Sequence, residues 1–191
     1  MNAPHFALTS PHPARFTVDE FIRLEETGVF DGYAKTELIE GEIVCMNAQY
    51  SRHARTKSLL MRALGNALAD MGSPLEAWCE VSVRLDDDSL PEPDITLTSY
   101  RGEGAVPVAT VALIVEVSDT TLENDLGRKS DMYARAGVPE YWVIDLGENR
   151  ALLHEQPTAD GYLEQLDVLL GEQLHSATVG GLSVATSGLI D

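Results

Sequence analysis

A chain of 191 residues, 44% hydrophobic and 23% charged, has the composition of a globular domain able to bury its own core. Its formal net charge of −18 weighs against a protein that draws its affinity from nonspecific phosphate contacts. No apolar run is long enough to span a membrane and nothing resembles a secretory leader, so a cytoplasmic protein without membrane attachment is expected.

Residues 1–15 carry three prolines and read as a flexible lead-in to a single domain over 16–191. Thr17 and Glu20 have capping-box spacing, which predicts a short helix ending near Gly28. Glu37-Leu38-Ile39 and Glu42-Ile43-Val44 flank Glu40-Gly41, the pattern of a tight hairpin. From Arg52 to Met71 the period turns helical, with Leu60, Leu64, Ala67 and Met71 on one side, Ser51 as the expected cap, and Gly72 and Pro74 as the stop. Residues 43–69 contain no acid but hold Arg52, Arg55, Lys57 and Arg62, a +4 stretch in a chain that is otherwise −22. It reads as a local basic surface or one solvated helix face.

Alternation over Cys79–Leu85 predicts a strand, followed by an acidic turn at Asp86–Asp88 and a second strand over Asp94–Thr98. Cys45 and Cys79 sit in no metal-binding pattern and are expected as core thiols. Val111–Val117 is almost continuously apolar, Asp125–Ala136 is helical, and Tyr141–Ile144 is apolar again. Strand, helix and strand within this span predict a crossover joining parallel strands. Ala151–His154 and Tyr162–Leu170 follow as peripheral strands.

Against that apolar background three charged residues stand out. Glu116 interrupts the VALIVEV strand, where an unpaired carboxylate would be prohibitive, so a metal, a lysine or a structural ion pair must compensate it. Lys129 falls within the stripe formed by Leu126, Met132, Tyr133 and Ala136, either as a site residue or with its stem covering core. Asp94 follows Pro93 at a strand start and is either a turn residue or a second hard oxygen ligand beside Glu116. His53 shares the face of Leu60 and Leu64 and reads as a core histidine or as a group placed beside a water or metal. Asp and Glu oxygens with water suit Mg²⁺ or Mn²⁺.

The order ELIEGEIV, a histidine opening a helix, VSVRL, PEPDITL, LIVEVSDTT and LGRKSDMYARAGVPEYWVID resembles the Uma2 family, formerly a domain of unknown function. The resemblance runs from about Thr17 to the C-terminus and places the chain in the PD-(D/E)XK, restriction-endonuclease-like superfamily. It implies an α/β core with a mixed β-sheet flanked by helices, preceded here by the N-terminal helix and β-hairpin. By position, Asp94 matches the aspartate of the PD element and Glu116 the acid of the next element. The superfamily's usual lysine position is Ser118 here, and Lys129 looks like its replacement from the helix. Glu42 and His53 match further family positions.

The implied activity is an endonuclease hydrolysing nucleic-acid phosphodiesters, DNA before RNA, with Mg²⁺ or Mn²⁺ held by Asp94, Glu116 and Glu42. Lys129 and His53 join them as catalytic residues. A homodimer is expected by the same analogy. Two other readings remain open: a catalytically silent binding or assembly module, and a metal-dependent hydrolase of small phosphoesters.

Overall fold

The structure, a computed structural model, describes residues 13–189. Thr17 and Glu20 close a reciprocal cap, in which the Thr17 backbone N–H donates to Glu20 Oε2 at 2.9 Å. Helix α1 (Val18–Glu25) starts from it. Strands β1 (Lys35–Ile39) and β2 (Glu42–Met46) pair antiparallel. Their turn needs two left-handed residues, Glu40 (φ 50°) and Gly41 (φ 79°), the arrangement that suits the twist of a two-residue hairpin. The expected lead-in lies outside the described residues up to position 12; Arg15, at its end, is fastened to the hairpin by the Glu40 carbonyl oxygen.

Helix α2 (Ser51–Asp70) buries His53, Thr56, Lys57, Leu60, Leu64 and Leu68, a stripe at intervals of three and four residues. Its cap position is Tyr50, one residue before the expected Ser51, and no side chain caps it. Gly72 ends it in the left-handed region at φ 62°. Next come β3 (Glu76–Cys79), β4 (Val83–Arg84), β5 (Ile95–Thr98), β6 (Val106–Pro107) and β7 (Val111–Ser118). A helical turn, α3 (Leu122–Asn124), runs through a π-helical segment (Asp125–Lys129) into α4 (Ser130–Arg135). Strands β8 (Glu140–Asp145), β9 (Arg150–Thr158), β10 (Gly161–Leu169), β11 (Gln173–His175) and β12 (Ser183–Ala185) complete the chain.

The central sheet has the order β10-β9-β8-β7-β5-β3. Its parallel pair is β7 with β8, joined by the helical crossover, and its other pairs are antiparallel. On one face α2 packs Leu60, Leu64 and Leu68 against Leu113, Val115, Trp142 and Leu153. On the other, Met132 and Tyr133 cover Ile114, Tyr141, Val143 and Leu152. Both faces of β7 and β8 are therefore covered, which explains their continuous apolar runs. No helix among the described residues is long and apolar enough to cross a membrane.

Two sequence expectations fail here. The strand predicted over Cys79–Leu85 breaks at Glu80, whose φ of 50° ends β3 and turns the chain away. Cys45 and Cys79 are exposed free thiols, not core residues, because the hairpin and the end of edge strand β3 leave them uncovered.

Candidate active site

The β5–β7 register sets Ile95 opposite Val115 and so brings Asp94, one residue before β5, alongside Glu116. The Asp94 backbone N–H donates to Glu116 Oε2 at 3.3 Å, and the Val117 N–H donates to Asp94 Oδ2 at 2.8 Å. Two carboxylates are thus locked to each other's strands. Both are buried, as are Lys129 and His53. They open onto a cleft of about 770 Å³ lined by, among others, Glu37, His53, Lys57, Asp94, Glu116 and Lys129.

Lys129 reaches this space from the π-helical segment. Its Nζ lies 2.8 Å from Glu116 Oε1 and 3.1 Å from Glu37 Oε2. Tyr133 donates its hydroxyl to Glu116 Oε1 at 3.0 Å. From α2, His53 Nε2 sits 3.1 Å from Asp94 Oδ2, and Lys57 Nζ lies 3.5 Å from Asp94 Oδ1. Gln49 donates to that same Oδ1 at 3.1 Å. Lys57 also ties Glu80 at 2.5 Å, so the left-handed residue that ends β3 serves the cleft wall. Three lysines, Lys35, Lys57 and Lys129, come from three elements to meet Glu37, Asp94 and Glu116.

Burial and neighbours push the carboxylates apart in acidity. Burial lifts Glu116 to about 7, with Asp94 and Asp125 adding to the rise and Lys129 opposing it. Burial also works to raise Asp94, but the His53 hydrogen bond and charge, with the Val117 N–H, hold it well below the usual carboxylate range. Glu37 is lowered: burial is overcome by Lys129, Lys35 and the Glu92 N–H. The contrast with Glu116 has a simple origin. Two lysines flank Glu37, whereas Glu116 shares one lysine with that neighbour and faces two other acids. Burial works to lower the Lys129 pKa, but Glu116, Glu37 and Asp125 raise it further, keeping it charged.

Of the residues singled out from sequence, Asp94, Glu116, Lys129 and His53 converge. Glu42 does not join them. Its carboxylate is half-exposed and pairs with Arg128 at 2.9 Å and Arg15 at 3.3 Å, outside the cleft wall. The hairpin carboxylate that reaches the site is Glu37, which sequence reasoning passed over. Alternation along β1 was the available signal, since it sets Glu37 on the face of Lys35 and Ile39 rather than with Leu38. Ser118, at the usual lysine position, donates its hydroxyl to Asp125 Oδ2 at 2.6 Å instead.

A family model matches residues 18–187, nearly the whole chain. The chain belongs to the Uma2 family. That family is described as "Putative restriction endonuclease". Among solved structures, the Uma2 chain is similar to a protein from Anabaena variabilis described as a putative nuclease belonging to DUF820. The TM-score is 0.69 at 16% identity, over 91% of this chain and 97% of that one. At that identity the likeness establishes the fold, the mixed α/β architecture expected from the sequence. No curated protein matches the chain.

The donor set bears on a divalent ion. Among the described residues no three or more His, Cys, Asp or Glu groups are gathered as a ready-made metal site. Asp94 and Glu116 are a pair, and Mg²⁺ takes one or two carboxylates supplemented by water and substrate phosphate. The pair therefore fits such an ion, with Lys129 and Lys57 compensating its charge and His53 beside Asp94 in the arrangement described.

Proposed function

We propose that this chain is a metal-dependent phosphodiesterase acting on nucleic acid, DNA before RNA. The observation that carries the reading is the convergence of Asp94, Glu116 and Lys129 from the residue before β5, from β7 and from the crossover helix on one cleft. Asp94 and Glu116 would hold Mg²⁺ or Mn²⁺. Bound there, the ion supplies charge neutralisation at the scissile phosphate and lowers the pKa of water.

The chain's own residues do the rest. Lys129 is a fixed cation whose Nζ is divided between two carboxylates, so a phosphate oxygen entering the cleft can take over part of its hydrogen bonding. His53 and the Val117 N–H both grip Asp94 Oδ2, which fixes that carboxylate's rotamer and keeps it ionised. Glu37 also holds Lys129, at 3.1 Å, and is a positioning residue. Hydrolysis adds water across one P–O ester bond, and the departing oxygen leaves as an alcohol.

The net charge of −18 favours a second reading, a hydrolase of small phosphoesters, which need only a local cationic pocket. One experiment separates the readings. Supercoiled plasmid, single-stranded DNA, RNA and nucleotide-sized diesters are offered with Mg²⁺ or Mn²⁺, to the native protein beside Glu116→Ala and Lys129→Ala. Cleavage of polymers by native protein alone supports the nuclease. Cleavage of the small diesters alone moves the assignment to the second reading. Metal binding without turnover on any substrate would leave a silent module.

A further inference from the structure

Strand β10 closes one side of the central sheet and pairs with β9 alone. Edge strands are ordinarily blunted by brevity, by proline or by lysine. This one runs nine residues, Gly161–Leu169, with neither proline nor a basic residue. It also carries three of the large hydrophobic side chains left exposed among the described residues: Leu163 at 69%, Leu166 at 55% and Leu169 at 62%. An apolar edge of this length presents an unpaired ladder of N–H and C=O groups ready to accept another strand.

We infer that the occupant is β10 of a second copy, paired antiparallel about a two-fold axis at Leu166. Residues opposed across an antiparallel pair point to the same face, so the axis must pass through a residue rather than between two. An axis at Glu164 sets that carboxylate against its own copy, and an axis at Asp167 does the same for Asp167. An axis at Gln165 faces Leu163 with Asp167 and Leu166 with Glu164.

At Leu166 the pattern is self-complementary. Leu163 meets Leu169 twice, Leu166 meets Leu166, Glu164 meets Val168, and Gln165 meets Asp167. No acid opposes an acid, and Asp167 is already neutralised by Arg150 at 2.8 Å. The β9–β10 register sets Leu166 beside Leu153, while Leu169, an odd number of residues away along the continuously paired stretch from Glu164, lies on the opposite face. Opposing Leu169 across the axis would set Leu163 on that face as well. Leucine contacts therefore form on both faces of the joined sheet, the isologous arrangement of a two-fold dimer. Strands β8 and β9 separate β10 from β7, so pairing leaves the cleft uncovered.

The test is the mass of the full chain in solution by sedimentation, in a Cys45→Ser, Cys79→Ser background. A dimer is expected. Leu166→Lys, which sets an ammonium against its own copy, should raise the dimer Kd by on the order of 100-fold. Because Leu166 is more than half exposed in the single chain, circular dichroism and thermal unfolding of that variant should stay native-like. Register is read separately. Leu166→Cys should crosslink to its own copy on mild oxidation, whereas Leu163→Cys, which faces Leu169, should not. A monomer across the micromolar range overturns the inference. So does a dimer indifferent to Leu166→Lys, or crosslinking at Leu163→Cys in preference to Leu166→Cys.

Discussion

Glu116 and Glu140 are both buried on neighbouring central strands, yet they are satisfied in opposite ways. Glu140, on the α2 face, accepts from neutral donors: Trp142 Nε1 at 2.6 Å, Ser176 Oγ at 2.6 Å, and the Thr178 hydroxyl and N–H at 2.7 and 3.1 Å. These contacts staple the segment after β11 onto the sheet. Glu116, on the other face, is held by a lysine and a tyrosine from the crossover helix, beside an open cleft. Neutral donors built into the fold cannot leave Glu140 without cost to the fold. The cation at Glu116 can be shared with an incoming anion. Depth of burial alone does not mark a functional carboxylate; the kind of donor and its access to a cleft do.

The sharpest way to break this contrast is to remove each acid in turn. Glu116→Ala, like Asp94→Ala, should lower cleavage by about 10³-fold or more, roughly 4 kcal/mol of barrier, and should abolish Mn²⁺ binding by calorimetry. Retained turnover in either variant would remove the pair from the chemistry. Glu140→Ala should instead cost about 3 kcal/mol of stability in urea unfolding, with cleavage per folded molecule unchanged, and Glu140→Gln should recover part of that loss.

The third expectation concerns pH in protein stripped of divalent ions. Glu116 is raised from the ordinary 4.5 to about 7, so between those values the folded chain keeps a proton that the unfolded chain has released. Its contribution is complete below pH 4.5 and is lost as pH climbs towards 7, at most about 1.4 kcal/mol per pH unit. Unfolding curves of the native chain and Glu116→Gln should diverge across that window and run parallel above it. Parallel curves throughout would mean that Glu116 is ionised well below neutrality.

The smallest effect separates two glutamates of the hairpin. Glu42→Ala should leave cleavage within about twofold, since its half-exposed carboxylate stands outside the cleft lining. Glu37→Gln, which loosens Lys129, should lower kcat by roughly tenfold or more while the Mn²⁺ affinity holds. Equal losses at both positions would mean that the rim contributes as much as the cleft.

The legible parts of this molecule are those where a charge breaks a strong period. Glu116 within VALIVEV and Lys129 within a helical stripe are visible because burial on both sides demands apolar residues there. Glu37 was hidden because a short hairpin strand is half polar by nature, so one more acid in it is unremarkable until its face is counted. Glu140 opens its strand, where a polar residue draws no notice, and apart from Trp142 its donors come from residues 36 to 38 positions later. The break at Glu80 left no glycine as a signature, so alternation carried the predicted strand through it.

The π-helical segment acts as a spacer set between two anchors. Asp125, at its start, accepts from the Ser118 and Thr121 hydroxyls at 2.6 Å, and Lys129, at its end, is bound to Glu116. A π turn holds roughly one residue more than an α turn, so deleting Gly127 would regularise the helix while rotating one end about 100° against the other. Either Asp125 would leave Ser118 or Lys129 would leave Glu116. The number of residues between the two anchors is therefore fixed, and a chain that carries its lysine on this helix has to preserve the count between that lysine and the strand.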